Sequence, residues 1–106
     1  MVSLHTTAHD KDEFSQRIKV FGDIWMVRII SMLADVTQRF NELHRSLGPV
    51  SPTVLADRLK KLEDYGLIAR ERQTMDQLSV TYALTDKGRA ILPLLKSIES
   101  FTKKYL

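Results

Sequence analysis

The sequence predicts a mainly α-helical (α+β) fold in which one short β-hairpin accompanies five helices. Two features predict it. Apolar residues recur at helical spacing through most of the 106 residues, whereas the apolar–polar alternation of half-buried strands is confined to two short runs between Leu67 and Thr85. A chain of this length has room for one core, so residues 1–106 are expected to form a single domain.

The amino-terminal region divides into an arm and a helix. Residues 1–10 have little apolar periodicity and are expected to form a flexible arm. A first helix is predicted over residues 11–21, with Gly22 suited to end it. Three apolar side chains share one face of that helix: Phe14, Ile18 and Phe21.

The second and third helices follow directly. Asp23 is suited to cap the second helix, whose apolar run from Ile24 to Leu33 covers most faces and predicts a place in the centre of the core. Thr37 is predicted to cap a short third helix, which ends before Gly48.

The fourth helix has the clearest boundaries in the sequence. Ser51 is a capping residue, Pro52 occupies the first helical position, where its missing N–H costs nothing, and Gly66 ends the helix. One stripe is predicted to be buried: Leu55, Leu59 and Leu62. The opposite face is predicted to be exposed and carries Thr53, Ala56, Asp57, Lys60 and Asp64.

The remainder is predicted to form a hairpin and a long helix. LIARERQ and VTYALT alternate, which predicts two strands over residues 68–84 joined by a loop of about six residues. A last helix is predicted over residues 86–106, although Pro93 inside it should cost about 3 kcal/mol or force a kink. Its apolar seam repeats at intervals of three and four residues, typical of a helix that lies against another helix: Ile91, Leu94, Ile98, Phe101 and Tyr105.

This order of elements is that of a winged helix-turn-helix domain, with the helix-turn-helix at residues 38–65 and the wing at 68–84. The major groove of DNA is about 12 Å wide, so a helix held by one apolar stripe can present its far face to base edges. The residues predicted to face bases are Thr53, Ala56, Asp57 and Lys60, with Ser51 at the tip. Those predicted to touch the DNA backbone are Arg39, Asn41, Arg58, Arg72, Gln77 and Ser79.

Two segments, RFNELHRSLGPVSPTVLADRLKKLEDYGLIAR and VTYALTDKGRAILPLL, resemble the HxlR-type family of bacterial and archaeal transcription regulators. The family pattern has an early Trp in the second helix, then RFxEL, a turn, SPxxLxxRLKxLExxGL, a wing and YxLTxxGRxLxPxL; the match extends from about Gly22 to the carboxyl terminus. The resemblance implies a homodimeric regulator of double-stranded DNA, paired through residues 11–21 and 86–106, with the fourth helix in the major groove and the wings on flanking backbone.

The apolar seam independently predicts a homodimer, because it exposes more apolar surface than one small domain can cover. The residues assigned to the dimer interface are Phe14, Ile18, Phe21, Ile91, Leu94, Ile98, Phe101 and Tyr105.

Cysteine is absent, which excludes thiolate chemistry and thiol sensing. Many relatives in this family carry a sensing cysteine at the head of the first helix, where this chain has a residue near Asp12. No cofactor is expected. Because cysteine is absent, any small-molecule effector should bind without covalent chemistry. His5, His9 and His44 are a weak metal alternative and are not assigned as ligands, because the terminus is expected to fray and no thiolate accompanies them. With no phosphate loop, HExxH or GxSxG motif, an enzyme is not expected.

The charge balance permits DNA binding without requiring it. The net charge is +3, and between Arg39 and Arg72 seven basic residues face five acidic ones. Asp57 on the groove face has two interpretations: it pairs with a neighbouring lysine, which is favoured, or it accepts a hydrogen bond from a cytosine amino group. The alternative function is a winged-helix module that binds only protein. With no export or membrane segment in the sequence, a cytoplasmic location is expected.

Overall fold

The computed structural model describes residues 8–72 and 80–106. Its elements in chain order are α1 (Ala8–Gly22), α2 (Ile24–Met32), α3 (Phe40–Leu47), α4 (Pro52–Asp64), β1 (Ile68–Arg72), β2 (Val80–Leu84), α5 (Asp86–Arg89) and α6 (Leu92–Tyr105). The predicted mainly helical, winged helix-turn-helix class is confirmed. Within the described ranges, no helix combines the length and apolar character needed to cross a membrane.

The core lies where α2, α3 and α4 meet. Its fully buried large side chains are Ile29, Ile30, Leu33, Leu43, Leu47, Leu55, Leu59 and Leu62. The predicted stripe of α4 is therefore entirely inside, and each such leucine contributes about 1.5–3 kcal/mol through burial. The expectation that Ile24 belongs to the core is wrong, since its side chain is 67% exposed. The buried stripe of α2 runs through Met26, Ile29 and Ile30, and Ile24 lies on the opposite side of the helix.

Both ends of α4 are as predicted. Ser51 Oγ accepts a hydrogen bond from the Val54 N–H at 3.1 Å, and Pro52 is the first helical residue. After the helix, Gly66 has φ +77°, the left-handed region that favours glycine. Gly48 has φ +86° and forms the turn that separates α3 from α4. The first and last residues of α4 are thus set by local sequence.

The start of α1 and the cap of α3 differ from the predictions. Helix α1 begins at Ala8, so the end of the predicted arm is helical, and residues 1–7 lie outside the described residues. Thr37 does not cap α3: the N-cap is Arg39, whose backbone N–H donates to Glu42 Oε1 at 2.8 Å. The reason is that Gln38 exchanges two backbone hydrogen bonds with Tyr82, at 3.1 and 2.7 Å, so the chain stays extended until Arg39.

The predicted single helix over residues 86–106 is two helices, α5 and α6. The break falls at Ala90 and Ile91, which places Pro93 at the second position of α6. There the missing N–H has no intrahelical partner to lose, so the proline is accommodated without a kink. Helix α5 therefore ends at Arg89, and α6 begins at Leu92, directly before Pro93.

The wing is fixed to the end of α4 by the residues around α5. In the hairpin, Ile68 pairs with Leu84 and Arg72 with Val80. Thr85 Oγ1 donates to the Gly66 carbonyl at 2.6 Å. Gly88 packs its backbone so closely on the Leu67 carbonyl that a Cβ there would collide with it. The loop between the strands, with the predicted DNA contacts Gln77 and Ser79, lies outside the described residues.

Candidate nucleic-acid interface

The outer face of α4 is polar and exposed, as predicted. Ser51, Thr53, Ala56 and Lys60 are all exposed on it. Lys60 Nζ lies 3.2 Å from Asp64 Oδ1, but both side chains are mostly in solvent. Such a surface pair contributes little and exchanges readily for another anion. The contact of these side chains with DNA stays a prediction.

Asp57 on the same face is paired within its own helix. Its Oδ2 lies 2.6 Å from Arg58 Nη1 and 3.2 Å from Lys61 Nζ. Hydrogen bonds from Arg58, and then from Lys61, lower the pKa of this carboxyl below its ordinary value. The favoured interpretation, pairing with a neighbouring lysine, is confirmed, while the contact with Arg58 was not foreseen.

Arg58 makes an ion pair with Asp23 that the sequence analysis did not predict. Its Nε donates to Asp23 Oδ2 at 2.7 Å, and its side chain is only 25% exposed. The hydrogen bond to Asp23, followed by that to Asp57, raises the pKa of the Arg58 guanidinium. Arg58 is thus directed to the junction of α1 and α2, and its contact with phosphate stays a prediction. The reason for this direction is its position at the edge of the buried stripe, next to Leu59.

Asp23 joins two helices, α2 and α4, through one carboxylate. Its Oδ1 accepts from the Met26 N–H at 3.0 Å, which caps α2, while Oδ2 accepts from Arg58 of α4. Burial alone would raise the pKa of Asp23, but the Met26 N–H and the Arg58 guanidinium outweigh burial and lower it. The cap was predicted, whereas the tie to α4 was not.

An open groove of about 990 Å³ lies between α3 and the wing. Its lining is strongly basic and contains Arg39, Arg45, Arg70 and Arg72 together with Phe40, Asn41, Glu42, Val80 and Tyr82. The predicted backbone contacts Arg39, Asn41 and Arg72 therefore converge, although they lie on separate elements. Because the Glu42 carboxylate accepts the Arg39 N–H, the one acidic side chain among the described lining residues is engaged at the cap.

Two groove arginines were missed, and simple periodicity could have found both. Arg70 lies two residues before Arg72 and so on the same face of β1. Arg45 follows Asn41 by one helical turn of α3. Arg70 also pairs with Glu63 of α4 at 3.1 Å, which fastens the wing to that helix.

Tyr82 of β2 pairs with Arg70 across the hairpin, and both residues line the groove. The Tyr82 side chain also lines a second crevice of about 370 Å³, which Ala56 and Lys60 border from α4. Burial raises the pKa of its phenol. The wing and the exposed face of α4 are therefore contiguous surfaces that meet at this tyrosine.

Six of the eight residues predicted to form the dimer interface are exposed. Their exposed fractions range from 39% for Phe14 to 63% for Tyr105, and the other four are Ile18, Leu94, Ile98 and Phe101. Phe21 and Ile91 instead pack partly against the core. We call the six exposed residues the apolar stripe. Phe14 and Ile18 lie on α1, and the other four lie on α6.

Comparison with known proteins agrees with this geometry. An uncharacterized HTH-type transcriptional regulator of Bacillus subtilis, YvaP, is 31% identical over 93 residues, which are 88% of this chain and 86% of that protein. Another from Halalkalibacterium halodurans is 36% identical over 86 residues, or 80% and 76% of the two chains. The reduced form of the transcriptional regulator YodB from Bacillus subtilis has a TM-score of 0.75 at 27% identity and covers 94% of each chain.

The family model described as HxlR-like helix-turn-helix matches residues 20–106. That range contains the helix-turn-helix, the wing and α6. The chain therefore belongs to the HxlR-like helix-turn-helix family of transcription regulators.

Proposed function

We propose that this protein is a homodimeric transcription regulator that binds double-stranded DNA sequence-specifically through α4. One observation carries the proposal: the exposed polar face of α4 is contiguous with a groove lined by four arginines. A helix anchored by one buried stripe can enter the major groove, and adjacent guanidinium groups can neutralise the phosphates that flank it.

The two surfaces would do different work. Thr53, Ala56 and Lys60 would meet base edges and so supply sequence preference. Arg39, Arg45 and Arg72 would contact the sugar-phosphate backbone in the groove between α3 and the wing, which fixes register without reading sequence.

The apolar stripe supports a dimer, since it lies in water in the single chain. Pairing α1 and α6 with their counterparts in a second chain would cover it and relate two α4 helices by a twofold axis. Equivalent helices in successive major grooves read half-sites about one turn apart, on the order of 10 base pairs.

Any effector would act without covalent thiol chemistry, because the chain contains no cysteine. The family relationship supports a regulator rather than an enzyme, and its place of action would be the cytoplasm, where bacterial DNA lies.

The test starts with selection of duplexes from a random-sequence pool by the purified protein. Affinity is then measured on the selected and a scrambled duplex at several salt concentrations. Lys60→Ala should cost roughly 1–3 kcal/mol on the selected duplex and less on the scrambled one. Arg72→Ala should weaken both alike and reduce the salt slope by about one ion.

Lys96→Ala is the matched control, because this exposed lysine lies on α6, away from α4 and the groove. Its affinities should equal those of the wild type. If the wild type enriches no duplex, or if the Lys60 and Arg72 variants bind as it does, the surface does not bind DNA. The weak excess of positive charge would then favour a module that binds only protein.

A further inference from the structure

We infer that Asp23 and Arg58 form a positioning link that sets the rotation of α4 about its own axis and couples it to the dimerisation helix α1. The inference rests on the proposed function. It assigns Arg58 a role through Asp23 instead of a contact with DNA.

The need for such a link follows from how α4 is held. Leu55, Leu59 and Leu62 are at most 1% exposed, so they fix the distance of α4 from the core. A single apolar stripe limits rotation about the helix axis less strictly than it limits separation, because packing contacts are non-directional. Base readout depends on that rotation, since hydrogen bonds to base edges are directional.

The Asp23–Arg58 contact is placed to limit the rotation. Arg58 Nε donates to Asp23 Oδ2 at 2.7 Å, at the flank of the helix. Asp23 is itself immobilised, because its Oδ1 caps α2 through the Met26 N–H. Both side chains are largely shielded, at 25% and 21% exposure, so water competes with this pair less than with the surface pairs of α4.

The same contact reaches the dimerisation helix. Asp23 is the one residue between the end of α1 at Gly22 and the start of α2 at Ile24. Two members of the apolar stripe, Phe14 and Ile18, lie on α1 a few turns before it. A change in the angle of α1 at the dimer interface would therefore move Asp23, and Arg58 would transmit the movement to the base-facing side of α4.

The decisive variant is Asp23→Asn. Asparagine caps helices as well as aspartate, so the bond to the Met26 N–H is retained, while the charged acceptor for Arg58 is lost. If Arg58 positions α4, this variant should bind the selected duplex about tenfold more weakly, despite losing a negative charge, and the scrambled duplex no more weakly than before. Arg58→Gln and the double variant should lose the same affinity for the selected duplex, because each change breaks the same contact between Asp23 and Arg58.

Opposite results are expected if Arg58 contacts phosphate. Asp23→Asn would then release Arg58 and tighten binding to both duplexes, and Arg58→Gln would reduce the salt slope by about one ion. Either result overturns the inference. Asp35→Asn, which removes the same charge from an exposed turn, is the control and should bind the selected duplex no more weakly than the wild type.

Three measurements separate the possible failures. Thermal unfolding and sedimentation of every variant show whether it is a folded dimer, and affinity is compared at a temperature where all are folded. An Asp23→Asn variant that is folded and dimeric yet binds with wild-type preference also overturns the inference. A wild-type chain that selects no duplex overturns the proposed function instead.

Discussion

Lys61 Nζ lies 3.2 Å from Asp57 Oδ2, so a carboxylate on the exposed face of α4 is balanced from within its own helix. Arg58 Nη1 lies 2.6 Å from the same oxygen. A carboxylate beside phosphates is otherwise repelled. This local pairing explains how an acidic residue is compatible with the proposed DNA-binding role of this face, whose excess of positive charge is small.

Asp57→Asn should therefore raise affinity for scrambled DNA several-fold, because it removes a negative charge and releases Lys61. Preference for the selected duplex over the scrambled one should stay unchanged. The measurement is a titration of both duplexes at two salt concentrations. Loss of preference at one G·C pair would show instead that the carboxylate accepts a hydrogen bond from cytosine.

The apolar stripe should control the oligomeric state. Ile98→Asp puts a charge into the centre of the stripe and should convert the dimer into a monomer at micromolar concentration, as measured by sedimentation. Ser100→Asp adds the same charge to α6 on a side that the helical period turns away from Ile98, and should remain dimeric. A stably folded wild-type monomer at that concentration would contradict the dimer.

Oxidants and electrophiles should leave DNA affinity unchanged, because no cysteine is present to react. The measurement is binding of the selected duplex after treatment with peroxide, diamide or a quinone. The four methionines are the remaining sulfur sites, so mass spectrometry should accompany the titration. A large loss of affinity that a thiol reductant reverses would contradict this prediction.

Acid should destabilise the protein partly through Asp23. Because folding lowers the pKa of Asp23, the ionised carboxylate stabilises the native state at pH values above its ordinary pKa of about 3.9. That stabilisation is lost as the pH falls through the lowered pKa. Asp23→Asn should lower the free energy of unfolding by about 1–2 kcal/mol at pH 7. Between about pH 5 and pH 2, the free energy of unfolding of this variant should fall less than that of the wild type. Denaturant unfolding at several pH values measures both effects. An equal fall in the free energy of unfolding with pH for the variant and the wild type would contradict the role assigned to Asp23.

The stability of the protein around the wing should depend on the close approach of Gly88 in α5 to the Leu67 carbonyl. Gly88→Ala places a methyl group into that carbonyl and should lower the free energy of unfolding by about 3 kcal/mol. Gly22→Ala is the matched control, since a Cβ there meets no atom within 4 Å, and it should be neutral or stabilising by about 0.5–1 kcal/mol. Chemical denaturation compares the two, and equal stability of both variants would disprove the contact.

Local sequence by itself determined the elements whose signals lie within a few residues. Ser51, Pro52 and Gly66 fixed both ends of α4, because capping and positive φ are local requirements. The leucine stripe determined which face of α4 is buried, and alternation located both strands. From these elements in order, the sequence also determined the fold class and the family resemblance.

Only the tertiary structure decided the features that depend on residues far apart in the chain. Gln38 is extended because Tyr82 of the wing pairs with it. The N-cap of α3 is therefore Arg39 and not Thr37, which the sequence predicted. Arg58 turns inward because Asp23, 35 positions away, accepts its hydrogen bond. Helical periodicity could place Arg58 near the edge of a face, but the choice between solvent and a distant carboxylate depends on how the helices pack, and that is a property of the whole fold.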